Sequence, residues 1–214
     1  MKNNYLMTIA LAVLFFSASA QDERSSMDKR DQLQFGLKAG VNFSNVYDSK
    51  GEEFRADGKF GLTAGLFVSI PIGVYLGIQP EILFSQKGFK ATGTILGGKY
   101  EYTNTTNYLD LPLYLTLKPS GFITLLIGPQ VSFLLSERNV FATGVTSILQ
   151  EQEFQNDNIR KNSVSFSAGA DINLNHFVIG VRAAWDFIDN KGDGSSTTPR
   201  YKNQWLSLTF GYRF

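Results

Sequence analysis

Leu33-Gln34-Phe35-Gly36-Leu37-Lys38-Ala39-Gly40-Val41-Asn42-Phe43 alternates apolar residues with polar or glycine residues, without a break. A period of two puts Leu33, Phe35, Leu37, Ala39, Val41 and Phe43 on one face of a strand and Gln34, Gly36, Lys38, Gly40 and Asn42 on the other. The pattern recurs seven more times, over 60–70, 74–87, 107–117, 122–135, 163–174, 177–188 and 203–214. The apolar sets are clearest in Leu109, Leu111, Leu113, Leu115 and Leu117, and in Val164, Phe166, Ala168, Ala170, Ile172 and Leu174. The last strand offers Leu206, Leu208, Phe210, Tyr212 and Phe214.

The links between these strands alternate short and long. Pro71-Ile72-Gly73, Lys118-Pro119-Ser120-Gly121 and Asn175-His176 are tight turns, the last a two-residue hairpin. The long links are 44–59, 88–106, 136–162 and 189–202. An even strand number, tight turns at one end and long loops at the other predict an all-β fold, an eight-stranded antiparallel transmembrane up-and-down β-barrel over 33–214. Strands of this length exceed the roughly 9–11 residues that cross a bilayer at a tilt. Outward aromatics gather near the strand ends, with Phe43, Phe60, Phe84, Phe133, Phe166, Trp185 and Phe187 toward the long loops. Phe35, Phe177, Tyr212 and Phe214 lie toward the short turns, giving the two interfacial girdles expected of such a barrel. A soluble lipocalin-like barrel alternates equally well with its apolar face inward. The termini and the loop asymmetry favour the membrane form.

Residues 1–20 read as a secretory signal peptide: Lys2, the apolar run Ile9 to Phe16, then Ser17-Ala18-Ser19-Ala20 before Gln21. The apolar run is far shorter than the roughly 20 residues of a spanning helix. Residues 21–32 carry seven charges and no apolar period, as a disordered periplasmic leader would. The expected address is the outer membrane, with short turns periplasmic and long loops extracellular. Without residues 1–20, Lys2 is the one charge lost, leaving 19 basic against 19 acidic side chains. That balance argues against nucleic acid as a partner. There is no cysteine, hence no disulfide framework and no lipoprotein anchor.

Phe35-Gly36-Leu37-Lys38-Ala39-Gly40-Val41-Asn42-Phe43 resembles the opening strand of the PorT-like outer-membrane β-barrel family of Bacteroidota. Ile78-Gln79-Pro80-Glu81-Ile82-Leu83-Phe84-Ser85-Gln86-Lys87-Gly88 and Tyr108-Leu109-Asp110-Leu111-Pro112-Leu113 are similar to its third and fourth strands, and Gly211-Tyr212-Arg213-Phe214 to its ending. The resemblance covers nearly all of 33–214. It implies an integral outer-membrane barrel in a family whose founding member is linked to secretion and maturation of surface proteases, and it carries over no catalytic residues. Tyr212 and Phe214 also resemble the terminal signal read by the barrel-assembly machinery, with Thr209 where that signal has glycine.

Eight strands enclose an interior that side chains can fill. The inward charges are Lys38, Lys87, Arg182 and Arg213 against Glu81, Asp110, Asp171 and Asp186. Buried charges must be paired, so these predict a lumen plug of mutual ion pairs. Across the 175–176 hairpin Asp171 falls opposite Gly180, diagonal to Arg182, which predicts an Asp171–Arg182 pair. Glu81 and Asp110, at similar heights, call for a cation beside at least one of them.

No catalytic, cofactor or metal site is expected. The single histidine, His176, falls in a turn without a catalytic neighbour, which argues against a lipid- or peptide-modifying enzyme. Asp189-Asn190-Lys191-Gly192-Asp193-Gly194 resembles the start of a calcium loop, but Lys191 takes the third ligand position and Arg200 stands at the twelfth. The 136–162 link, with Phe141, Val145, Ile148, Leu149 and Phe154, reads as a lid on the mouth or a contact surface for a protein partner. The expected function is a non-enzymatic, lipid-embedded barrel, structural or accessory to a surface or secretion assembly. The alternative is a narrow passive channel.

Overall fold

A ladder of antiparallel strands in lipid is viable only if it closes, because an open edge would leave backbone groups without partners. The computed structural model describes residues 29–47, 56–95, 98–143, 147–152, 162–189 and 201–214. Its strands are β1 (Gln34–Tyr47), β2 (Asp57–Pro71), β3 (Leu76–Ile95), β4 (Gly98–Leu117), β5 (Ile123–Thr143), β6 (Ser147–Gln152), β7 (Asn162–Leu174), β8 (Phe177–Asp186) and β9 (Lys202–Arg213). Their order is β4-β3-β2-β1-β9-β8-β7-β5, and β4 pairs back onto β5, so eight strands close the barrel. β6 stands outside the ring and pairs with β5 from Glu137↔Gln152 to Ala142↔Ser147.

The wall is apolar outside and polar inside. Phe35, Leu37, Leu66, Ile82, Leu113, Leu115, Leu208 and Phe210 are exposed, whereas Asn42, Thr116 and Ser165 are wholly buried in the lumen. The eight strands expected from alternation are those that form the ring. The third begins at Leu76 rather than Val74, because Ile72 N–H and Gly73 N–H both bond to Leu76 C=O and keep 72–75 as the turn. Asn175, at φ +54°, takes the left-handed conformation that a two-residue hairpin demands.

The 88–106 link is not a loop. β3 and β4 continue past the wall and pair without interruption from Ser85↔Tyr108 to Ile95↔Gly98. Likewise the first part of 136–162 is the upper half of β5 together with β6. These pieces form a four-stranded sheet, β3-β4-β5-β6, standing above a rim that β7, β8 and β9 do not pass. Polar outward residues hid it from an apolar-outward pattern.

Two irregularities mark the rim. Leu135 bulges out of the β4–β5 ladder between Tyr108↔Leu134 and Asn107↔Ser136, so inward positions shift from even to odd numbers and Glu137 turns inside. At Gly88, φ is +145° and a Cβ would lie 2.1 Å from the Asn104 carbonyl oxygen, a site only glycine fits. Here the β2–β3 register shifts, and Ser44 Oγ bonds both the N–H and C=O of Gly88 at 2.9 Å.

The leader, expected to be structureless to residue 32, ends in an ordered 3₁₀ turn at Lys29–Asp31. Arg30 Nη1 donates to the Lys118 carbonyl and Lys118 Nζ to the Arg30 carbonyl, each at 3.2 Å. Since β4 and β5 lie across the barrel from β1, this turn crosses the short-turn mouth.

Candidate functional site

The lumen is the first candidate site, and alternation builds it by sending every second residue of eight strands inward. Lys38 Nζ lies 2.6 Å from Glu81 Oε1, reaching over β2 where its register partner Gly65 has no side chain. Arg182 Nη1 meets Asp171 Oδ1 at 2.8 Å, and Arg182 Nη2 comes within 4.0 Å of Glu81 Oε1. Asp171 does sit opposite Gly180. A Cβ at Gly180 would stand 2.6 Å from Asp171 Oδ1, so that glycine makes room for the pair. Lys87 Nζ lies 2.9 Å from Asp110 Oδ2, 3.4 Å from Ser132 Oγ and 3.7 Å from the centre of the Trp205 ring. Glu81 and Asp110 thus each have their own lysine. Three cations face three anions in the central layer, all buried. Removing one partner of such a set leaves a desolvated charge, which is strongly destabilising.

The other two inward charges sit at opposite ends. Arg213 donates to Gln34 Oε1 at 2.9 Å and to the Asn175 carbonyl at 3.2 Å by the short turns. Asp186, at the rim, accepts from Asn203 Nδ2 at 2.7 Å. Sequence reasoning missed two more buried charges. Lys118, assigned to a turn, reaches into the lumen and bonds Ser69 Oγ at 3.1 Å. Glu137, assigned to a loop, is turned inward by the Leu135 bulge. A bulge has no reliable signature in alternation, but the lysine closing the apolar-outward run of β4 could have been read as the next inward position.

Tyr114 and Ser167 share a 2.9 Å hydrogen bond that packs the centre, with the Arg182 guanidinium over the Tyr114 ring. Between them remains a void of about 20 Å³, lined among others by Lys38, Glu81, Asp110, Tyr114, Arg182 and Trp205. That is room for about one water molecule. Glu81 Oε2 and Arg182 Nε and Nη2, which have no hydrogen bond among the described residues, belong to residues on its wall.

Above the rim, the projecting sheet carries its own polar cluster. Glu137 Oε1 accepts from Asn104 Nδ2 at 2.5 Å and from Asn139 Nδ2 at 3.0 Å, while Tyr102 O–H donates to Asn139 Oδ1 at 2.8 Å. Burial pushes the Glu137 carboxyl above the usual carboxylate range, and the hydrogen bonds from Asn139 and Asn104 oppose it. Phe89, level with Asn104 in the ladder, holds its ring 5.9 Å from Tyr102 and 5.3 Å from Tyr201.

His176 stacks on Tyr212 at 5.5 Å in the 175–176 turn, with Nδ1 2.9 Å from the Arg213 carbonyl oxygen. Tyr212 also packs edge-on against Phe177 and Phe214, tying the chain's last residues into the lower girdle. Among the described residues no three His, Asp or Glu side chains gather into a group that could hold a metal ion. The Asp189–Gly194 segment lies, beyond Asp189, outside the described residues, as do Val145 and Phe154.

Solved structures share this architecture. Ail, the attachment invasion locus protein of Yersinia pestis, is 15% identical, with a TM-score of 0.50 over 85% of this chain and 98% of that one. Neisserial surface protein A is 10% identical over 84% and 97%, with a TM-score of 0.45. OprG from Pseudomonas aeruginosa is 14% identical over 85% and 95%, at 0.37. Only the fold carries across at such identities, and only the first of the three is close enough to bear on it. No curated protein matches the sequence. The model of the outer membrane protein beta-barrel domain family matches residues 19–192, most of the chain. A closed eight-stranded wall with an apolar exterior and that match together make the chain a member of the outer membrane protein β-barrel domain family, resident in the outer membrane.

Proposed function

We propose that this barrel is a non-conducting, non-enzymatic scaffold that presents the β3-β4-β5-β6 sheet at the cell surface for contact with a protein partner. The central layer carries the proposal: its ion pairs and the Tyr114–Ser167 bond leave a void of about 20 Å³, too small to pass a solute. With the lumen filled, the part of the molecule left to meet a protein is the projecting sheet, which includes 136–143 and 147–152. Short turns face the periplasm and the sheet faces outward, the asymmetry usual in such barrels. The PorT-like resemblance of the strands supports an accessory role in a surface or secretion assembly, and Tyr212 and Phe214 supply the signal for the barrel-assembly machinery.

The test is crosslinking in intact outer membranes with the full chain and with a variant trimmed to short turns at the rim in place of 89–104 and 137–161. The trimmed barrel is expected to keep its heat-modifiable mobility on a gel and to lose a stoichiometric partner that the full chain retains. Conductance steps from the reconstituted full chain would instead establish the narrow channel.

A further inference from the structure

The outer surface of the barrel carries a groove of about 530 Å³ where β8, β9 and β1 approach the rim. That volume falls in the ~300–1,000 Å³ range of small-molecule clefts. The register arranges its outward residues in rows. In the lowest row Ala183, Leu206 and Phe43 stand side by side, since Ala183↔Leu206 and Phe43↔Leu206 are both paired. The next row is Trp185, Gln204 and Asn45, and above it Lys202 faces Tyr47. Ala183 is small between the large rings of Phe43 and Trp185, which opens the hollow. Toward the cell exterior the groove therefore passes from apolar side chains to carboxamides to the Tyr47 phenol, with Lys202 beside it as the register partner of Tyr47. Gln204 is exposed and its carboxamide has no protein partner among the described residues, while Asn45 donates to the Ala56 carbonyl at 3.1 Å. Lys202 Nζ is 3.9 Å from Asp189 Oδ1, too far for a hydrogen bond, which leaves it able to turn to a stronger anion.

This polarity order is that of an amphiphile standing with its chains in the membrane and an anionic head above. We propose that the groove binds an acylated, phosphorylated glycolipid of the outer leaflet. Acyl chains pack over Ala183 and Leu206 between Phe43 and Trp185, linkage carbonyls and hydroxyls meet Gln204 and Asn45, and a phosphate pairs with Lys202. A zwitterionic phospholipid matches the lower rows but presents its own cation at the level of Lys202, so the site discriminates by charge.

Trp185 is the reporter. The protein has two tryptophans, and Trp205 is buried in the lumen. The full chain is reconstituted in vesicles of phosphatidylcholine with brominated acyl chains, which quench Trp185, and purified lipid A is added at rising mole fraction. Trp185→Phe supplies the background from Trp205. The wild type is expected to recover fluorescence about threefold more steeply than the mole fraction of lipid A, the enrichment that one interfacial ion pair and a hydrogen bond support. Lipid A stripped of its phosphates, or the variant Lys202→Gln, should bring recovery back toward the mole fraction. Ala183→Phe, which fills the hollow at an outward position, should do the same. Heat-modifiable mobility certifies that each variant is folded, and Lys202→Gln with dephosphorylated lipid A stands even if Ala183→Phe does not fold. Recovery that tracks mole fraction in the wild type overturns the proposal. So does shielding of Trp185 that ignores the added lipid and grows with protein density, which would give the groove to a second copy of the chain.

Discussion

Within the membrane belt β4 turns Leu109, Leu111, Leu113, Leu115 and Leu117 outward and Asp110, Tyr114 and Thr116 inward; above the rim the same strand turns Glu101, Thr103 and Thr105 outward and Tyr102, Asn104 and Thr106 inward. β3 repeats the change, from Ile82 and Phe84 outside to Lys90 and Thr92 outside, with Phe89 and Ala91 now buried. One continuous ladder therefore passes through two solvents. The backbone cannot tell them apart, because its hydrogen bonds are satisfied in both. The side chains can, and the outward face goes from leucine to threonine, lysine and glutamate where lipid gives way to water.

The largest expected effect lies inside the belt. Arg182→Ala leaves Asp171 and Glu81 without their shared cation in a buried layer, and should cost about 3–5 kcal/mol in urea unfolding from vesicles. Changing Asp171→Asn and Arg182→Gln together should recover part of that loss, because no buried charge is then stranded at that pair. A loss as large in the double variant would mean that shape, not charge, holds the layer.

A smaller pair of changes tests the boundary directly. Leu113→Arg puts a charge on the lipid face at the middle of the β4 leucines Leu109–Leu117, at a cost of about 2–4 kcal/mol. Thr103→Arg, ten residues up the same strand, should stay within about 0.5 kcal/mol, as surface substitutions usually do. Equal costs at the two positions would show that the belt extends over the projecting sheet and would undo the contrast.

That contrast also explains what could be read in advance. The eight ring strands were legible because Leu37, Leu66, Leu113 and Leu208 answer to lipid and their neighbours to the lumen, so alternation was amplified twice over. The Asp171–Arg182 contact was legible because a two-residue hairpin fixes register and a diagonal follows from it. The upper halves of β3, β4 and β5 were not, because Lys90, Thr92, Thr103 and Thr105 look like loop residues to a search for apolar outward positions. Glu137 was hidden for a different reason: one extra residue at Leu135 exchanges inside and outside, and nothing in the composition of Phe133 to Arg138 announces it. Arg30 was lost among the charges of the leader, since its reach to Lys118 crosses the barrel mouth and no local pattern encodes such a contact.

Glu137 offers the finest test of the upper region. Its folded-state pKa is raised by burial, so the contribution of its protonated form is fully present below the unfolded value and is lost as pH rises through the folded one. Amide exchange along Glu137 to Thr143, corrected for the intrinsic pH dependence, should therefore show the sheet best protected in acid and loosening toward neutral pH. Glu137→Gln keeps an oxygen for Asn104 and Asn139 while removing the charge, and should flatten that profile with a gain at neutral pH of about 1 kcal/mol, the scale of a neutral hydrogen bond. The central ion pairs lie below the Leu135 bulge, so the protection of Leu125 to Val131 should not follow the same profile. If both segments loosen together, the two halves of β5 are one cooperative unit and the rim is a boundary of solvent alone, not of stability.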